Sequence, residues 1–233
     1  KLVNLLTLLI LLFTIILVLN QPNEIIKIFN NSYIIDKLSI YMKALTLLFC
    51  FLVLLISKNY IKSIKIDKIE YPVLILASTL GMLLMISSYD LMIFYLGLEL
   101  QSLCLYILAS FKRDEIRSTE AGLKYFILSA LASALFLYGC SFIYGFTGST
   151  NFMVISERLD SSNIASVFGI VFIIVALAFK VSAVPFHMWT PDVYEGAPTS
   201  VTSFFAVVPK IAALTVFIRF IYVPFINIFS EWQ

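Results

Sequence analysis

Seven apolar runs alternate with short polar segments along the chain. A membrane-crossing helix needs about 20 predominantly apolar residues, and the runs predict spans at 2–19, 38–56, 72–87, 91–111, 119–146, 164–184 and 199–222. Breaker residues set their ends. Asn20 and Pro22 close the first run, and the basic stretch 57–68 follows the second. Pro72 opens the third, where a helix has no use for a backbone N–H. Thr147-Gly148-Ser149 ends the fifth. Pro185 interrupts the sixth, because proline removes a helical hydrogen bond and crowds the preceding turn. The pattern predicts an all-α polytopic membrane protein with about seven transmembrane helices and a broken helix near Pro185.

Composition excludes other classes. Of 233 residues, 61% are hydrophobic and 13% are charged, against about 25% charged in ordinary globular domains. So few charges cannot cover a soluble surface. A net charge of +2 gives no sign of a nucleic-acid partner. Cys50, Cys104 and Cys140 lie far apart in apolar runs, without a CxxC or Cys/His spacing for zinc, haem or an iron–sulfur cluster. They read as small buried hydrophobes. Lysine and arginine set the orientation. One side holds eight of them, Lys1, Lys58, Lys62, Lys65, Lys68, Lys112, Arg113 and Arg117, and the other holds four, Lys27, Lys37, Arg158 and Arg219. The first set belongs in the cytoplasm or matrix.

Lys43, Lys124, Lys180, Lys210 and Glu99 fall inside the spans instead. An ionisable group at mid-membrane costs about 2.5–3.5 kcal/mol on insertion scales. Glu99 is about nine residues from Asp90 and thirteen from Lys112, so it sits near the bilayer middle, and its short side chain cannot snorkel. It reads as part of a proton or ion pathway, or as half of a static ion pair. Lys180 ends a long apolar run just before Pro185. Broken membrane helices line a cavity or bury their backbone in protein. His187, the single histidine, lies seven residues past Lys180 across the break. It reads as a proton relay or as an interfacial residue. Lys210 follows Pro209 in mid-span, as a functional group or a buried ion pair. Lys124 has Glu120 at i−4 and lies about a turn into its span, so function and snorkelling both fit. Lys43 reads as a snorkelling lysine, and the small residues at 129–134 as a packing surface. A Glu–Lys pair at ~7 Å and an effective dielectric near 20 is worth about 2.4 kcal/mol, enough to toggle a lysine's proton. There is no dinucleotide loop, Walker sequence or redox-ligand set, so if the chain pumps, the energy must arrive from a partner.

The stretch from Phe179-Lys180-Val181-Ser182-Ala183-Val184-Pro185-Phe186-His187-Met188-Trp189 through Thr190-Pro191-Asp192-Val193-Tyr194-Glu195-Gly196-Ala197-Pro198 resembles the signature of the antiporter-like membrane subunits of respiratory complex I. Leu96-Gly97-Leu98-Glu99-Leu100 and the segment 120–130 carry the same resemblance, which covers roughly residues 70–222 and is nearest to the family of chain 2 of NADH:ubiquinone oxidoreductase. The resemblance implies a proton-translocating subunit of the membrane arm, with NADH oxidation and quinone reduction in other subunits and no cofactor in this chain. It implies that Glu99 modulates Lys180, that protons pass through Lys180, His187 and Lys210, and that Lys124 lies between these groups.

Full-length relatives have about fourteen helices with two inverted five-helix repeats, and residues 70–222 match the first repeat. The expected organisation is two N-terminal helices and a basic loop at 1–69, one antiporter-like repeat at 70–222 and a tail at 223–233. The chain then reads as an N-terminal half. Its expected partners are other membrane-arm subunits, membrane lipids and a separate chain supplying the second half, as when a gene is split, with truncation the alternative. A multisubunit cation/proton antiporter shares the motif set, and a scaffold with static ion pairs is a third reading. Abundant Ile, Phe, Tyr, Asn and Lys suit an AT-rich mitochondrial genome. The expected location is the mitochondrial inner membrane, with a bacterial plasma membrane as the alternative.

Overall fold

The computed structural model describes residues 2–22, 24–64, 66–159 and 164–226. Lys1, Lys65 and residues 227–233 of the expected tail lie outside them. The elements in chain order are α1 (Leu2–Leu19), β1 (Ile26–Ile28), β2 (Tyr33–Ile35), α2 (Lys37–Ser63), α3 (Glu70–Ile86), α4 (Leu91–Ala109), α5 (Ile116–Thr147), α6 (Phe152–Arg158), α7 (Ile164–Val181), α8 (Thr190–Gly196) and α9 (Thr199–Tyr222). Six of these, α1, α2, α4, α5, α7 and α9, are long and apolar enough to cross a membrane. The third expected span is shorter. α3 has 17 residues, about 26 Å at 1.5 Å per residue, because the chain turns at Ser87 and re-enters the bundle as α4.

Local chemistry starts and stops the helices where the breakers suggested. Asp36 caps α2 through a reciprocal box with Ser39: its Oδ1 accepts from Ser39 N–H at 2.9 Å, and Ser39 Oγ accepts from Asp36 N–H at 2.9 Å. Asp90 caps α4, accepting from Met92 N–H at 2.8 Å and from Thr150 Oγ1–H at 2.6 Å. α5 ends at Gly148, with φ 67°, a conformation that suits glycine at a helix C-terminus.

Two glycine contacts let long helices pack closely. A Cβ on Gly81 of α3 would lie 2.7 Å from the Gly97 carbonyl oxygen of α4, and a Cβ on Gly139 of α5 would lie 2.7 Å from the Gly169 carbonyl oxygen of α7. Backbones approach at these points because neither partner carries a side chain. An aromatic cluster fills the bundle at the end opposite the lysine-rich loops. Phe94 packs 5.0 Å from Phe136 and 5.3 Å from Phe220, which packs 4.9 Å from Phe152.

The purely helical expectation misses a small hairpin. β1 and β2 pair antiparallel, and Phe29, Asn30 and Asn31 turn between them at positive φ. The hairpin is tied to the α3–α4 turn, since Ile34 N–H donates to Ser87 O and Tyr89 N–H to Ser32 O, both at 2.9 Å. Two cations are not where the sequence pattern put them. Arg219 is no loop charge. It is 3% exposed in the last turn of α9 and pairs with Asp36 Oδ1 at 2.9 Å. Lys43 does not snorkel. It is 3% exposed, and Nζ donates to Tyr33 Oη at 2.8 Å.

Candidate functional site

The expected break is present, and it falls just past Lys180. α7 stops at Val181, Ser182 turns at φ 64°, and the helix resumes as α8 at Thr190 after a loop with a cis Val184–Pro185 peptide. A broken helix frees carbonyls that need donors. The Trp189 indole N–H donates to Phe179 O at 3.0 Å, and Ala183 N–H donates to Ala178 O at 2.9 Å.

Lys180 turns its ammonium into the cleft between α4 and α5. Nζ donates to Ser102 Oγ at 2.9 Å and also to Ser129 Oγ. Among the described residues no carboxylate forms a salt bridge with it. Glu99 lies one turn before Ser102 on α4, the helix that supplies one of the hydroxyls holding Lys180. Glu99 Oε1 is buried with no hydrogen-bond partner among the described residues. The site thus holds Lys180 by two hydroxyls, with Glu99 one helical turn from Ser102 and no ion pair between the two among the described residues. Both serines escaped the sequence reading. Ser129 belongs to the small-residue stretch assigned to packing, and Ser102 carried no signal beyond its place three residues after Glu99.

Lys124 has a different environment. Its ammonium lies 2.6 Å from Asp192 of α8 and 2.8 Å from Glu120, with 43% of the side chain exposed. With Arg117 and Glu195 these residues line a charged cleft of about 220 Å³. Gly196 lets α8 lie against α5 there, since a Cβ would come within 2.6 Å of the Arg117 carbonyl oxygen.

Lys210 is half-buried on α9, with Nζ 5.6 Å from the centre of the Tyr194 ring. Cations favour that position over an aromatic face. Pro209 beside it has no N–H, so the Phe205 carbonyl lacks its usual helical donor. α9 nonetheless runs unbroken through this point. His187 is exposed in the break loop and makes no side-chain hydrogen bond among the described residues. The structure therefore does not gather it with Lys180.

Aromatic rings stand between Lys180 and Lys210. Tyr125 stacks on Trp189 at 4.6 Å, and Trp189 meets Tyr194 edge-on at 6.1 Å. The hydroxyls of Tyr106, Ser133, Ser182, Thr190 and Tyr194 are buried without partners among the described residues. Buried polar groups normally find a partner, and water fills that role where the protein does not. Such hydroxyls donate and accept, as a proton-conducting water chain requires.

Residues 88–232 match the family model described as NADH:quinone oxidoreductase/Mrp antiporter, transmembrane. The match covers more than half of the chain. The chain belongs to this antiporter-like family. It is 64% identical over 224 residues to NADH-quinone oxidoreductase subunit N of Pelagibacter ubique, covering 96% of this chain and 48% of that protein. A chain of respiratory complex I from Thermus thermophilus superposes with a TM-score of 0.82 at 33% identity, over 93% of this chain and 47% of that one. A chain of the Mrp complex from Dietzia shares the fold, with a TM-score of 0.77 at 23% identity over 97% of this chain and 43% of that one. The chain spans about half the length of the curated relatives it matches. These family members are bacterial, which does not support the mitochondrial expectation.

Proposed function

We propose that this chain is a proton-translocating, antiporter-like part of the membrane arm of NADH:quinone oxidoreductase. The observation that carries the reading is the Lys180 site. A lysine at the end of a broken helix is held by the Ser102 and Ser129 hydroxyls, beside a Glu99 oxygen that is buried and unpaired. A static ion pair would put carboxylate against ammonium. Here hydroxyls hold the ammonium and the Glu99 oxygen has no partner among the described residues, so both groups are free to change partners. In this reading Glu99 modulates Lys180, and protons pass by way of water along the unpartnered hydroxyls to Lys210. Lys124, with Glu120 and Asp192, forms the charged inlet at the lysine-rich end, and His187 takes part at the break. Electron transfer and its cofactors belong to other subunits of the complex. The bacterial relatives favour a plasma membrane, with the lysine-rich loops on the cytoplasmic side.

The test is Lys180→Met in the intact membrane complex, with NADH oxidation and proton uptake into vesicles measured together. The expected outcome is a complex that assembles normally and pumps at least about tenfold less. Full pumping by the assembled variant would leave the chain a scaffold. A complex that lacks NADH oxidation and exchanges sodium for protons would point to the Mrp side of the family. Mass spectrometry of the same complex reads whether the remaining half of the relatives' length travels on this polypeptide or on a separate one.

A further inference from the structure

Lys43 is the buried cation that the proposed axis does not use. It lies on α2, near the end of the bundle covered by the hairpin, and is 3% exposed. Its ammonium donates to Tyr33 Oη at 2.8 Å and sits 4.9 Å from the centre of the same ring. Among the described residues it has no salt-bridge partner. The nearby carboxylate that might have served, Asp36, is committed to Arg219 and to the cap of its own helix. A buried charge without a counter-charge is costly and rarely kept for packing alone.

The surroundings are polar in a line. The buried face of α2 continues from Lys43 through Thr46 and Cys50 to Ser57. On α3, which packs against α2, the buried hydroxyls of Tyr71 and Ser78 have no hydrogen-bond partner among the described residues. α2 packs against both α3 and α9. Polar side chains of α2 and α3 therefore recur as a seam toward Lys43, interrupted at Val53 and Leu54, with Thr46 Oγ1 donating to Lys43 O at 2.8 Å and Ser57 Oγ to Leu54 O at 3.2 Å. On the other side of Lys43 stands Tyr33, half-buried on the hairpin, which is itself tied to the α3–α4 turn and to Asn151.

We propose that Lys43 and Tyr33 form a further proton-carrying station at the hairpin end of the molecule. This rests on the proton-translocating reading above. In the step, Tyr33 Oη takes a proton from Lys43 Nζ as its own O–H bond breaks and that proton passes to a water molecule on the hairpin side. The lysine is left as a neutral amine. A proton arriving along the seam restores the ammonium. The phenol passes the proton on without ionising, since one O–H bond forms as the other breaks. The other titratable or charged groups near this end of the elements around Lys43 are Lys27 on the hairpin, Asp36 at the α2 cap, Lys37 and Tyr41 on α2, Tyr89 and Asp90 in the α3–α4 turn, and Arg219 and Tyr222 on α9. Lys27 lies over the Tyr89 ring at 5.2 Å.

The test compares Lys43→Arg, Lys43→Met and Tyr33→Phe in the intact membrane complex. Native gels measure assembly, and pumping per NADH oxidised is followed from about pH 6 to about pH 9. Arginine keeps the charge and the hydrogen bond but does not release its proton. The station predicts that Lys43→Arg assembles and pumps at least about fivefold less, with an altered pH profile. Tyr33→Phe, which keeps the ring over the ammonium, should also pump less. Parental pumping and pH profile in Lys43→Arg would overturn the proposal, leaving Lys43 as an anchor for the hairpin. If Lys43→Met does not assemble, the arginine and phenylalanine variants still decide. Lys180→Met is the control. If it stops pumping while Lys43→Arg pumps normally, only the station fails. If Lys180→Met pumps normally, the proposed function fails with it.

Discussion

Lys180 on α7 and Lys124 on α5 both sit on helices long and apolar enough to cross a membrane, yet they are held by opposite chemistry. Lys180 has the hydroxyls of Ser102 and Ser129. Lys124 has the carboxylates of Glu120 and Asp192. Ionised carboxylates accept hydrogen bonds and carry negative charge, so they favour the ammonium over the neutral amine. Hydroxyls donate as well as accept, so they suit an ammonium or a neutral amine equally well. The first environment fits a group whose proton comes and goes. The second fits a charge that stays in place and organises the water above it. Lysine type is the same in both, so the partners carry the functional difference.

The largest effect breaks the comparison at its inner member. Lys180→Met should reduce proton uptake by at least about tenfold with NADH oxidation measured beside it. A methionine of similar length fills the space but has no proton to give.

Much of this was legible in the chain. Glu99 and Lys180 stood out because a charge interrupts a long apolar run, and the break because Pro185 cannot continue a helix. The serines that hold Lys180 were hidden, since serine in a membrane helix usually bonds its own backbone or packs a neighbour. Lys43 looked like a snorkelling residue because it lies near a helix end. Its partner Tyr33 reaches it only through the hairpin fold, and strands of three residues leave little periodic signal. His187 was grouped with Lys180 by its distance along the chain, but the loop after Ser182 leaves its ring exposed.

A third cation separates burial from partner chemistry. Arg219 is as buried as any charge here, but it is paired with Asp36. Asp36→Ala should therefore lower stability by about 3–5 kcal/mol, the cost of stranding a buried charge, read as a fall in the thermal midpoint of the detergent-solubilised protein. pH should act on the same pair. Burial is the largest single influence on the Asp36 carboxyl and raises its pKa. The Arg219 hydrogen bond and charge, with the Ser39 bonds, together outweigh it and hold the carboxyl below its ordinary value of 3.8. A depressed carboxyl stabilises the fold fully above its unfolded value. That contribution is lost as the pH falls from 3.8 through the lower, folded value. Asp36→Asn should abolish this part of the acid sensitivity.

Next comes the Lys180 cradle itself. Ser102→Ala and Ser129→Ala each remove a hydrogen bond to a charged group, worth about 1.5–3 kcal/mol. The double variant should lose more pumping than either single one, because the single variants keep one hydroxyl on the ammonium. Additive losses in stability with no loss of pumping would make the hydroxyls mere packing and remove the distinction drawn between the two lysines.

The smallest effect belongs to the outer member. The Lys124 pairs are exposed, and exposed pairs contribute roughly 0–1 kcal/mol each. Lys124→Met should leave the thermal midpoint nearly unchanged and reduce pumping by less than Lys180→Met does. Its effect should also shrink as salt is added, because ions screen a charge in an open cleft far better than one between packed helices. The Lys180→Met defect should be indifferent to salt over the same range. Equal salt dependence in the two variants would mean that both lysines feel solvent alike, and the contrast between hydroxyl-held and carboxylate-held charge would have no functional content.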